Sequence, residues 1–252
     1  MASSTAPTSG TVRSTSAEDG TRVAAEPATA SDARDLAAVR ALVAACEQRV
    51  AGPTEVAERP VQLHGSALAR AVLRLFGWRV DCGGLPARQG VMVVYPHTSN
   101  WDFPWGLLAK WAIGLPLSFW AKHTLFEVPL FGRFLRHVGG LAIDRRAAQG
   151  VVGQTVARLR EARACDEFLW LAITPEGTRS RTEGWRSGFY QLAVGADVPV
   201  ALAYIDYRSK CIGVDSAWRL SGDPAADMAC IAARYAGRTA CRPDDAAPVR
   251  LL

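Results

Sequence analysis

No stretch of this 252-residue chain reaches the ~20 uninterrupted apolar positions that a membrane-spanning helix needs. Attachment at a membrane surface is therefore the only membrane mode the sequence leads us to expect. There is no Cys-x-x-Cys pair. Cys46, Cys82, Cys165, Cys211, Cys230 and Cys241 stand apart, with no histidine at metal-ligand spacing, so no metal site is expected and the thiols read as reduced and structural. The usual covalent nucleophiles are also missing, because no Gly-x-Ser-x-Gly elbow occurs and no cysteine has a histidine close by. Nucleic-acid motifs and internal repeats are absent, and the arginines are dispersed, which makes nucleic acid the weakest partner class. The first ~35 residues lack the apolar core of a secretory signal.

What the chain does have is a 49% hydrophobic composition, enough to bury one good core. Residues 1–35, rich in Ser, Thr and Ala without periodicity, are expected to be disordered. Residues 36–60 read as a linker with a short helix, residues 61–240 as the functional domain and residues 241–252 as a loose tail. Charge divides the same way. Residues 1–60 carry six basic and eight acidic side chains and the remainder 23 and 16, so the basic excess belongs to the folded part. That excess favours an anionic ligand or an anionic membrane surface.

Strands and helices alternate. Val91–Tyr95, Leu117–Trp120, Leu141–Ile143, Phe168–Ile173 and Val198–Ile205 read as strands, with helices from about Asn100 and over Val151–Arg163. Ala203–Val214 reads as a hairpin about Arg208-Ser209-Lys210, and Asp223-Pro224 opens a last helix that ends near Gly237. The fold class is α/β, a mixed sheet flanked by helices.

Two motifs leave strand ends, where α/β sheets place their chemistry. His97 is followed five positions later by Asp102, with Ser99 and Asn100 as N-cap candidates between them and Pro104 just inside the helix start. A carboxylate that takes the Nδ1 proton leaves Nε2 free as a base. A base without a protein nucleophile most simply activates a substrate hydroxyl for direct attack on an acyl donor. A thioester suits this scheme because its thiol departs without a strong general acid. The second motif, Pro175-Glu176-Gly177-Thr178-Arg179-Ser180, offers an anion seat: Gly177 permits close backbone approach, Thr178 offers a hydroxyl and Arg179 a planar fork. Glu176 is expected to hold Arg179 or another cation, with a secondary role toward the acceptor's hydroxyls. Read singly, His97 also fits a satisfied strand-end histidine, and the second motif a polar turn.

In order along the chain, His97 to Asp102, Gly139-Gly140-Leu141-Ala142-Ile143-Asp144-Arg145, Glu176 to Ser180 and Val198-Pro199-Val200 resemble the four blocks of the glycerophospholipid acyltransferase family, which includes the lysophosphatidate acyltransferases. Ala121-Lys122-His123-Thr124-Leu125-Phe126 and Pro129-Leu130-Phe131-Gly132 resemble its connecting segment, and the likeness covers roughly residues 70 to 215. It implies a glycerol-3-phosphate acyltransferase-like fold, His97 as general base, Asp102 as its orienting partner, and Arg145, Thr178 and Arg179 as phosphate ligands, with Gly177 giving the phosphate room. The implied partners are a lysophospholipid acceptor, most simply lysophosphatidate, and acyl-CoA or acyl carrier protein as donor substrate, with no cofactor. Thr174, Ala142 and Trp185-Arg186-Ser187-Gly188 depart from the family's usual residues around the pocket. These departures leave open another lyso-lipid acceptor, an aminolipid included; the alternative from a different class is a noncatalytic lipid-binding protein that keeps the fold and the anion seat.

The expected location is peripheral, on the cytoplasmic face of a membrane. Ala67 to Trp78 sets Leu68, Val72, Leu75 and Phe76 on one side with Arg70 and Arg74 elsewhere, a basic amphipathic pattern. Trp101, Trp105 and Trp111 fit an interface equally with a packed core. His64 and His137 read as packing or surface residues, and His123 has the better claim to sit near the site's mouth.

Overall fold

Strand β3, Gln89–Val94, explains the architecture: five of its six residues are buried, as a central parallel strand covered on both faces requires. In a computed structural model describing residues 52–143 and 148–252, β3 lies in an eight-stranded mixed sheet. The other strands are β1 (Thr54–Glu55), β2 (Arg79–Asp81), β4 (Leu117–Lys122), β5 (Gly140–Ile143), β6 (Leu169–Ile173), β7 (Val200–Asp206) and β8 (Cys211–Arg219). Their order is β1-β8-β7-β3-β6-β4-β5, and β2 also pairs with β8. Strands β7, β3, β6, β4 and β5 run parallel, while β8 returns antiparallel to β7 through the hairpin expected about Ser209.

Period-two alternation sends Val91 and Val93 to one face and Met92 to the other. The first face packs against α4 (Ala148–Ala164), α5 (Gly188–Ala196) and α6 (Pro224–Tyr235), through Leu159, Phe189, Leu192 and Ile231. Toward the second face lie α1 (Ala67–Leu75) and α2 (Asp102–Ile113), where Leu73, Ala109 and Ala112 meet Ile205 and Ile212. Small residues do specific work here. Gly90 stands opposite Trp170 on β6, and a Cβ on Gly90 would lie 2.4 Å from that fully buried indole.

The strand and helix expectations hold to within a few residues at most ends. Helices α3 (Pro129–His137) and α5 were not read from the sequence. The tail is a correction: residues 241–252, expected to be loose, pack onto the domain. Leu252 and Arg250 exchange backbone hydrogen bonds with Trp185, Ala247 is buried in the main core cluster, and Val249 and Leu251 pack against that cluster. The domain also begins earlier than Val61, since β1 at Thr54–Glu55 pairs with β8. Expectations for residues 1–51, and for Arg145, lie outside the described residues.

Candidate active site

Parallel register brings the two motifs together. Val93 on β3 stands beside Ile173 on β6, so the segments leaving these strands emerge at the same sheet edge and carry His97 and Glu176 with them. Neighbouring β7 ends there too, because Val94 pairs with Ala203, and Tyr207 follows its last residue.

His97 Nδ1 lies 3.2 Å from Asp102 Oδ2, the expected pairing. Helix α2 makes it possible by a route the sequence did not indicate. Neither Ser99 nor Asn100 is the N-cap residue; Trp101 holds that position without a side-chain cap. Asp102 Oδ2 instead accepts the Thr98 and Ser99 N–H groups at 2.9 and 2.8 Å, which folds the loop back over the first turn. Burial alone would raise the Asp102 carboxyl. Hydrogen bonds from His97, Tyr207 and Ser99 outweigh it and hold the group below its ordinary value. Asp102 thus stays an anion beside Nδ1, an arrangement in which the imidazole's other nitrogen, Nε2, is not engaged by this carboxylate.

Glu176 corrects its expected role. It is 2% exposed and is not paired with Arg179; its two oxygens accept the backbone N–H groups of His97 at 2.7 Å and Ala247 at 3.1 Å. The reason is its position: the turn after β6 buries residue 176 between the loop after β3 and the C-terminal segment. Burial pushes this carboxyl up to about 7, against the lowering effect of the two N–H donors. The C-terminal segment also reaches the first motif, where Arg242 N–H donates to Thr98 Oγ1 at 3.0 Å.

Beyond Glu176 the turn opens to solvent. Gly177 has φ +69°, the left-handed region that favours glycine, and a Cβ there would also displace the Arg186 side chain, whose Nε would lie 2.7 Å away. Thr178 and Arg179 are exposed, and the Arg179 guanidinium has no hydrogen-bond or ion-pair partner among the described residues. No described group of three or more His, Cys, Asp or Glu side chains could hold a metal ion.

Sequence reasoning missed Tyr207, whose hydroxyl donates to Asp102 Oδ1 at 2.6 Å. Its place directly after the β7 run was the available signal. Tyr207 also lines an open aromatic cleft of about 420 Å³ with Phe76, Trp78, Trp101, Trp105 and Lys210. His123 opens a single 3₁₀ turn after β4, and its Nδ1 is buried with no hydrogen-bond partner among the described residues.

A histidine–aspartate pair thus lies at the carboxyl edge of a mixed α/β sheet, and the neighbouring loop carries an exposed arginine with no partner among the described residues. The family model described as Acyltransferase matches residues 79–205, half of the chain, and the protein belongs to that family. No curated protein matches the chain in sequence. Among solved structures, the 1-acyl-sn-glycerophosphate (LPA) acyltransferase PlsC from Thermotoga maritima is similar at 19% identity and a TM-score of 0.41, over 59% of this chain and 65% of that one. The chain thus spans just under two thirds of the length of that relative.

Proposed function

We propose that this protein transfers a fatty acyl group from acyl-CoA or acyl carrier protein to the free hydroxyl of a lysophospholipid, with lysophosphatidate as acceptor and phosphatidate as product. The observation that carries the reading is the His97–Asp102 pair, in which a buried carboxylate engages Nδ1 of a partly exposed imidazole. Nε2 takes the acceptor's hydroxyl proton as the oxygen attacks the thioester carbon. The tetrahedral intermediate then collapses, the C–S bond breaks, and the departing sulfur receives the proton from the imidazolium. The donor is a substrate, and the scheme requires neither a resident cofactor nor a metal.

Arg179 supplies the phosphate anchor, with Arg145 as its expected second arm. The experiment uses purified protein, radiolabelled acyl-CoA and acyl carrier protein, and a panel of phosphate-bearing and neutral lyso-lipids. Wild type is expected to favour lysophosphatidate. Arg179→Ala should raise the lysophosphatidate KM about tenfold or more, with little change for the donor, because a charge-assisted contact to phosphate is lost. Arg179→Lys should recover that loss only in part, since a point charge lacks the planar fork. A wild-type preference for acceptors without phosphate would overturn the choice of acceptor.

Membrane attachment belongs to the same reading. Leu68 and Leu75 on α1 are 74% and 81% exposed, and Phe76 and Trp101 are 53% and 63% exposed, whereas the buried stripe of this helix is Ala69 and Leu73. Arg70 is partly committed elsewhere, because its Nε donates to the Ala112 carbonyl and ties α1 to α2. The apolar tips, with Arg74 beside them, are the better docking surface on the cytoplasmic face of a bilayer. Changing Leu75 and Phe76 together to serine should weaken cosedimentation with phosphatidylglycerol vesicles about tenfold, from the apolar area withheld from lipid. The melting temperature should hardly move, as both side chains are exposed. Unchanged vesicle binding would remove this face from the membrane.

A further inference from the structure

The Asp102 carboxylate has four donors. Thr98 N–H and Ser99 N–H bind Oδ2, His97 Nδ1 lies beside the same oxygen, and Tyr207 alone among the described residues donates to Oδ1, at 2.6 Å. Asp102 is 3% exposed, so water cannot readily replace a missing donor. The phenol is itself fixed. Its ring meets the Trp78 indole edge-on at 5.0 Å between centroids, and its backbone N–H donates to the Thr239 carbonyl. Residue 207 follows β7 at the edge where β3 and β6 deliver His97 and Glu176, and lies beyond the 79–205 span of the family match.

We propose that Tyr207 is a positioning residue for acyl transfer, acting through Asp102: its hydroxyl holds Oδ1 so that Oδ2 faces His97 Nδ1 as an anion. The proposal rests on His97 being the base. Burial, then the hydrogen bond to Asp102 and that group's charge, keep the phenol well above its ordinary value, so it remains a donor through the working pH range. Removing it strips away one of the bonds that hold the Asp102 carboxyl low, and the carboxyl then titrates higher. Among the described residues, the titratable groups facing this pair are His97 after β3, Glu176 after β6, Cys241 in the C-terminal segment and Lys210 at the cleft. None of these is changed by the substitution.

The test is Tyr207→Phe, which keeps the ring against Trp78. Expected are a kcat about 10- to 100-fold lower, the range for losing a hydrogen bond to a charged group, and an acceptor KM within about twofold. The acidic limb of the pH–rate profile should move to higher pH, as a purely structural defect would not require. In an Asp102→Asn background the same change should cost less than about twofold more, because both act through one carboxylate. Should Tyr207→Phe melt early, 3-fluorotyrosine at position 207 keeps ring and hydroxyl while strengthening the donor, and should move the limb to lower pH. The Asp102 carboxyl ¹³C resonance, assigned by its loss in Asp102→Asn, is titrated in parallel and needs no turnover. Wild-type kcat with an unmoved limb, additive losses in the double variant, or an unshifted carboxyl titration would each overturn the role of Tyr207. A wild type that transfers no acyl group would instead sink the transferase reading, while the carboxyl titration still decides whether Tyr207 sets the state of Asp102.

Discussion

His97→Ala is expected to lower acyl transfer by about 10²- to 10⁴-fold, the usual contribution of a positioned general base. Folding should survive, for a reason visible in the site. Asp102 would lose one neighbour but keep the Thr98, Ser99 and Tyr207 donors, so no buried carboxylate is left bare. The backbone N–H of residue 97 would still donate to Glu176. Circular dichroism and thermal melting should therefore match wild type within a few degrees, and binding of lysophosphatidate to the Arg179 seat should persist. The measurement is initial rate with saturating donor across a range of acceptor concentrations. Robust turnover by the folded variant would eliminate the base mechanism.

The second large effect is on stability and comes from Glu176. Its carboxyl is pushed from an ordinary 4.5 to about 7 in the folded protein, so the native state binds this proton more tightly than the unfolded chain does. Stability from this group is accordingly fully present below about 4.5 and is lost as pH rises through about 7. A shift of this size corresponds to about 3 kcal/mol across that window. Asp102 acts with the opposite sign: its carboxyl is held low, so its contribution exists above the ordinary value of 3.8 and is lost only in stronger acid. The two windows do not overlap. Urea unfolding of wild type and Glu176→Gln at several pH values isolates the first, because glutamine does not titrate. Wild type should lose about 3 kcal/mol relative to the variant between pH 4.5 and pH 8, with a flat difference above. A pH-independent difference would show that folding leaves the Glu176 titration unshifted.

These outcomes depend on contacts of very different legibility. Strands β3, β6 and β7 were readable because covered parallel strands are continuous apolar runs, and α4 because Val152, Val156 and Leu159 recur at helical spacing. Helix α3 was not, since Pro129-Leu130-Phe131-Gly132 carries a proline and a glycine within one turn; the proline sits at N1, where it is tolerated. The His97–Asp102 pairing was legible because both residues belong to one strand-to-helix turn, whose geometry is local.

Glu176, Tyr207 and the C-terminal segment were not legible, because their roles are set by register rather than spacing. Glutamate beside arginine in a polar turn predicts an ion pair. Only the alignment of β6 with β3 turns the carboxylate toward the His97 N–H, and the packed tail then supplies Ala247 to its other oxygen. A tyrosine after a strand carries no sign of its partner, which lies 105 positions earlier. The sequence by itself determined which segments are buried, where the sheet's carboxyl edge falls and which base could act there, because hydrophobic periodicity and short turns are properties of neighbouring residues. Tertiary structure decided which groups meet around His97 and hold the Asp102 carboxyl low, because burial and hydrogen bonding between distant segments exist only once the strands have paired.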